Sequence, residues 1–199
     1  MSGTGSAPSA VKVDTGDTAR AETTLPFPVA LPEDVALWLR LNPFYTIDRW
    51  EETATGFHFS GHNASNNLPF DTSVRIERTS ETLRLRYAAG LKQTTCFAVE
   101  PAAEGSRLVV TETYPCIADP TDPRVAEVDK SLVPWVTALR RHLLARRRWG
   151  GLPGWQAWNE RFMPGMPPRQ RRIVRLLIWS TVFEFAIFFG LVIVLRFAT

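Results

Sequence analysis

Cysteine is almost missing from this chain: Cys96 and Cys116 are the only two in 199 residues. Two thiols cannot build a disulfide framework, and both are expected to be reduced packing residues. Lysine is nearly as scarce, with Lys12, Lys92 and Lys130 the only three among 23 cations, in a chain of net charge +3. This Arg-, Ala- and Pro-rich usage is expected of a bacterial genome rich in G and C. There are three histidines. His58 and His62 would sit roughly 13 Å apart on one strand face, too far to share a metal, so both are expected to be polar surface residues and no metal site is expected. His142, beside Arg140 and Arg141, is expected to be solvated. No GxSxG, HExxH, CxxC, P-loop or GxGxxG occurs, so no catalytic residues are assigned and no cofactor is expected. The first nineteen residues have no apolar core of a signal peptide and are expected to be a disordered leader.

The strongest positive feature lies near the other end. Leu176 to Leu195, LLIWSTVFEFAIFFGLVIVL, is an apolar run broken by one charge. At a rise of about 1.5 Å per residue, a helix of that length matches the roughly 30 Å hydrocarbon core of a bilayer. Arg169, Arg171, Arg172 and Arg175 precede it, whereas only Arg196 follows before Thr199. The positive-inside rule then places the N-terminal domain in the cytoplasm, in a single-pass, tail-anchored arrangement at the inner membrane. The four leading arginines are candidate contacts for anionic lipid. Ser180, Thr181 and Glu184 fall on one helical stripe, continued by Phe188 and Leu191. A stripe of this kind suggests contact with a second transmembrane helix, from another copy or another protein; a tolerated, protonated Glu184 is the alternative.

Residues 150–175 are rich in Gly, Pro, Trp and Arg and read as an interfacial linker. Within it Trp155, Trp158 and Phe162 recur at helical spacing, giving one aromatic face that would rest at the headgroup level or pack on the domain.

Residues 20–149 carry strand signals in series between helices. A short edge-like strand at 22–28 precedes a helix beginning at Pro32, and a turn or second helix runs to Trp50. Alternation marks strands at 55–62, 73–78, 82–87, 93–100 and 107–114, with turns at Thr79-Ser80 and at 103–106. The period then becomes helical. Val125, Val128, Leu132, Val136, Leu139 and Leu143 form one stripe of a long helix starting at Asp122-Pro123 and bent at Pro134.

The opening ALPEDVALWLRLNPFYTIDRW and the close VDKSLVPWVTALRRHLLARRRW, together with this element order, resemble the START-like, or SRPBCC (polyketide cyclase/dehydrase-like), superfamily. The resemblance covers about 20–149 and implies an α+β helix-grip fold: an antiparallel sheet wrapped on a long C-terminal helix, here followed by a single transmembrane helix. It also implies an apolar cavity for a lipid, sterol, quinone or polyketide. Phe57, Phe59, Tyr87, Phe97, Tyr114, Trp135 and Leu139 are the candidate walls, with ordinary core packing the alternative for each.

A membrane-anchored domain binding a hydrophobic small molecule is therefore the leading expectation, with the bilayer and an apolar ligand as partners. An accessory or assembly subunit that recruits an enzyme to the membrane, or joins a membrane complex, is the second. Its layout looks like that of accessory proteins of bacterial carbon monoxide dehydrogenase, whose sequence motifs are not matched here. A cyclase- or dehydratase-type enzyme is the third; Asp48, Glu112 and Tyr114 carry suitable groups, but no spacing singles them out. The arginines at 140, 141, 146, 147 and 148 suit a lipid surface or a solvated helix end rather than nucleic acid.

Overall fold

The computed structural model describes residues 18–117, 119 and 121–198, with side chains as far as Arg196. Most of the expected leader lies outside these residues. Its last two, Thr18 and Ala19, already belong to the sheet and pair with Thr113 and Glu112.

Seven strands form one antiparallel sheet: β1 (Thr18–Leu25), β2 (Tyr45–Thr53), β3 (Gly56–Asn63), β4 (Leu68–Arg78), β5 (Thr82–Tyr87), β6 (Thr94–Ala102) and β7 (Gly105–Thr113). Their order is β1-β7-β6-β5-β4-β3-β2, so the first strand closes back on the last and β2 is the other edge. Alternation along β6 and β7 buries Thr95, Phe97, Leu108 and Val110 on one side. Thr79 holds the β4–β5 turn by accepting the Thr82 amide at 3.0 Å on its hydroxyl. Gly105, at φ +94, closes the β6–β7 hairpin. A Cβ there would lie 2.2 Å from the Leu25 carbonyl oxygen, so both backbone conformation and space require glycine.

The segment expected as a turn or second helix before Trp50 is β2. Tyr45, Thr46, Ile47, Trp50 and Thr53 are β-branched or aromatic, and the segment pairs along its length with β3. A register shift between Ile47 and Arg49 makes Asp48 the extra, exposed residue of a bulge.

Helix α1 (Val35–Arg40) is capped by Asp34, whose carboxylate accepts the Leu37 amide at 2.9 Å. The expected single helix from Asp122 is two elements. Asp122 caps a 3₁₀ turn, Pro123–Glu127, and α2 runs from Leu132 to Trp149 after a break. Pro134 therefore lies in the first turn of α2, where its missing N–H has no helical partner to lose, and the expected bend has no cause.

Helix α2 packs on β1 and β7. Trp135 centres the core: its indole N–H donates to the Trp38 carbonyl at 2.7 Å, and its ring meets Phe97 edge-on at 5.3 Å. Leu139, Leu83, Leu85 and Leu108 are fully buried around it. The sheet gripping this helix is the α+β helix-grip arrangement. Cys96 is half-buried on β6, but Cys116 is exposed in the loop after β7, so it does not pack as expected.

After α2, Trp155 turns back onto His142 at 6.0 Å, and a π-helical turn (Ala157–Phe162) follows. His142 is thus covered and buried, not solvated as expected. Helix α3 (Pro168–Ala198) is long and apolar enough to cross a membrane, and no part of its apolar window is buried against the domain.

Candidate functional site

Three loops converge on one end of the sheet and bring together charges that lie far apart in sequence. Lys92, from the β5–β6 loop, points its Nζ inward and donates to Glu112 Oε1 at 2.5 Å, Asp129 Oδ2 at 2.5 Å and Tyr45 Oη at 3.0 Å. Tyr45, on β2, donates to Asp129 Oδ2 at 2.5 Å, and Tyr114 donates to Glu112 Oε2 at 2.7 Å. Asp129 Oδ1 accepts the Ser65 hydroxyl at 2.9 Å and the Ser131 amide at 2.8 Å. Asn42, just past α1, donates to Ser131 Oγ at 2.7 Å and ties α1 to the start of α2. Side-chain exposure is 11% for Lys92, 0% for Glu112 and 4% for Asp129. Burying three ionisable groups costs several kcal/mol each unless they are paired and fully hydrogen-bonded. Here each is.

The electrostatics follow from that pairing. Burial alone would lower the Lys92 amine, but Glu112, Tyr45 and Asp129 more than offset it and hold the amine well above the ordinary lysine range. Burial opposes ionisation of Asp129 too, yet Lys92 and the hydrogen bonds from Lys92, Ser131 and Tyr45 hold its carboxyl well below the usual range. Glu112 goes the other way: burial raises it, with Asp129 adding to the rise, and Lys92 compensates only in part. Burial likewise pushes Tyr87 up to about 12. Lys92 therefore stays an ammonium and the phenols stay neutral near neutral pH. The amine is not a free nucleophile, and both Glu112 oxygens are engaged by Lys92 and Tyr114. The arrangement is built to hold a fixed set of hydrogen-bond donors in place.

Beside this cluster opens a cavity of about 130 Å³, walled by Tyr45, Phe59, Phe70, Tyr87 and Tyr114, floored by Lys92 and Asp129, and bordered at its mouth by Asn66, Leu68 and Leu91. The expected wall residues divide. Phe59, Tyr87 and Tyr114 line it. Phe97, Trp135 and Leu139 are sealed in the core, and Phe57 stacks on Trp50 at 4.1 Å beside a different, shallow cleft. Glu112 and Tyr114 lie in one network, whereas Asp48 is remote and exposed. Lys92, Asp129, Tyr45 and Ser65 were not singled out by sequence; the rarity of lysine among so many arginines was the one available signal. His58 is held at the surface by Asp71, 2.8 Å from Nε2.

At the start of α3, Arg171 is not free for lipid as expected. It donates to the carbonyls of Met166, Arg40 and Pro164 at 2.7, 2.7 and 3.0 Å, fastening the helix to the domain. Arg169, Arg172 and Arg175 are exposed. Further along, Ser180 Oγ lies 3.4 Å from Glu184 Oε1, and Thr181 donates to the Leu177 carbonyl at 3.0 Å. Trp158 and Phe162 stack at 4.8 Å and stay 38% and 49% exposed, whereas Trp155 packs on the domain.

No family model matches the chain, and no curated protein sequence matches it. Several solved structures are similar to it. Protein Ms6760 of Mycobacterium smegmatis is 14% identical with a TM-score of 0.48, over 69% of this chain and 98% of that one. A Polyketide_cyc-like protein of Corynebacterium glutamicum is 14% identical with a TM-score of 0.32, over 73% and 90%. Ara h 8.0201 is 15% identical with a TM-score of 0.40, over 64% and 97%. The fold described above stands on its own strand order and helix packing: a seven-stranded antiparallel sheet gripping a long helix, with one apolar helix beyond it.

Proposed function

We propose that this chain is a START-like (SRPBCC) domain tethered to the inner membrane by α3, with its domain in the cytoplasm, and that it binds the polar end of an amphipathic small molecule beside Lys92. The observation that carries this is the cavity itself: aromatic walls on one side, and on the other a buried ammonium and phenols already oriented by carboxylates. A ligand oxygen entering there meets the positive charge of the ammonium and the Tyr87 hydroxyl, which is free to donate when Thr95 donates to it, while its apolar part rests on Phe59, Phe70 and Leu68. The volume limits what is enclosed. About 130 Å³ is below the roughly 300 Å³ typical of ligand pockets, so the head enters and the tail stays in the mouth. The exposed apolar surface of α3 supports the tether, since an unpartnered apolar surface of that size in water is rarely tolerated.

Lipid extraction and mass spectrometry of the purified full chain tests this. One amphiphile per chain is expected, and Ala89→Phe, which plugs the mouth at an exposed position, removes it. An extract with no stoichiometric ligand would overturn the binding role.

A second function is favoured by the filled interior and by the Ser180–Glu184 pair on α3: an accessory subunit joining a membrane complex or a second copy through that stripe. Under it, Glu184→Leu detaches co-purifying partners. Partners unchanged by that substitution would remove its support.

A further inference from the structure

Where the domain meets α3 there is a cleft of about 360 Å³, separate from the Lys92 cavity. Arg141 reaches it from α2, and Arg171, Arg172 and Arg175 from the first turns of α3. None of its described lining residues is acidic. Arg171 is used by the three carbonyls above. Arg141, Arg172 and Arg175 are exposed, and among the described residues none of them has a carboxylate partner. The charge of Arg175 is felt: Arg171 is drawn down to about 10, by burial first and then by the positive charges of Arg175 and Arg40. His142 also lines the cleft. It is 6% exposed, and its Nε2 hydrogen-bonds nothing, Glu160 lying 3.7 Å away. That nitrogen faces Glu160, outside the cleft; the cleft itself has three guanidiniums without carboxylate partners and no acidic wall, which suits an anion. The opposite wall is apolar, from Leu41, Trp155 and Met163, and Arg175 directly precedes the apolar run of α3.

We propose that this cleft is a headgroup site for one anionic phospholipid, its phosphate held by Arg141, Arg172 and Arg175 where α3 enters the bilayer. It rests on the membrane placement of α3 given above. The chemistry recognised is a phosphate anion, which a lipid headgroup and free phosphate share; the apolar wall and the adjoining span favour the lipid. The site differs from a general attraction between a basic stretch and a charged membrane, because Arg141 is far from the span in sequence, whereas Arg169 adjoins the span but does not line the cleft.

That difference supplies the test. The full chain is placed in nanodiscs of phosphatidylcholine and phosphatidylglycerol and released for native mass spectrometry, with Arg141→Gln and Arg169→Gln beside it and circular dichroism to verify folding. One retained phosphatidylglycerol is expected. Retention falls about tenfold in Arg141→Gln, as expected for a lost charge-assisted phosphate contact, and changes by less than about twofold in Arg169→Gln. Equal loss in both variants would show diffuse attraction and overturn the site. So would incorporation without a retained lipid. In detergent, inorganic phosphate alone should not displace the lipid at millimolar concentration; displacement would assign the cleft to free phosphate. A chain that does not enter nanodiscs at all overturns the membrane placement, and this proposal with it.

Discussion

Replacing Lys92 by Met isolates what the buried network does. Met keeps most of the side-chain volume but removes the ammonium, leaving Glu112 and Asp129 with no cation between them and Tyr45 with one partner fewer. Both carboxylates are almost wholly enclosed. Breaking one side of such a pair costs about 3–5 kcal/mol, which is a large fraction of a typical domain's stability. The cost is pH-dependent in a stated direction. Glu112 is already raised by burial, so without Lys92 it takes up a proton first as pH falls, and one of the two buried charges disappears. The deficit of Lys92→Met is therefore largest at neutral pH and shrinks toward pH 5. Adding Glu112→Gln to Lys92→Met recovers a good part of the loss at neutral pH, because the remaining carboxylate then faces a neutral amide. The assay is urea unfolding of the full chain in detergent, followed by tryptophan fluorescence, at several pH values. A loss under about 1 kcal/mol, or one that is the same at pH 5 and pH 8, would refute the claim that Lys92 neutralises buried carboxylates.

Other substitutions test other parts of the structure. Trp135→Ala should cost about 3–5 kcal/mol through the cavity it leaves and the lost bond to the Trp38 carbonyl, read as a shifted urea midpoint. Gly105→Ala should destabilise by more than about 1 kcal/mol, read as a lowered Tm, because the new methyl meets the Leu25 carbonyl at a positive φ. His142 is held down to about 4, by burial first and then by Arg146. A histidine with a lowered folded value contributes stability that is present above its unfolded value of about 6.5 and is lost as pH falls toward 4. His142→Phe should flatten that part of the stability profile by about 2 kcal/mol, measured by urea unfolding between pH 7 and pH 4.

Much of the fold was legible because it rests on local periodicity. The alternation at 55–62, 73–78 and 82–87 marks strands one by one, and the stripe from Leu132 to Leu143 marks the face of α2 on the core. Where two local signals compete, the tertiary partner decides. Tyr45–Thr53 follows closely on the first helix and carries β-forming residues, and the edge of β3 selects the strand. Pro134 signals a bend or a helix start with equal force, and the break after Glu127 makes it the start. The site was hardest to read because it is not periodic at all. Tyr45, Lys92, Glu112 and Asp129 come from a strand edge, a loop, a strand end and a helix approach, and no spacing in sequence records that they meet. His142 was misplaced for a related reason: the polar neighbours that suggest solvent lie on α2, while Trp155, which covers it, belongs to a later segment.

The tether can be measured directly. Vesicle flotation after alkaline carbonate, comparing the full chain with one ending at Arg175, separates an integral helix from surface attachment. The full chain should rise with the vesicles and the shortened chain should stay in the soluble fraction, folded and still carrying the Lys92 network. A full chain that carbonate strips from the vesicles would contradict the account, because neither the cavity nor the arginine cleft would then be held at a bilayer.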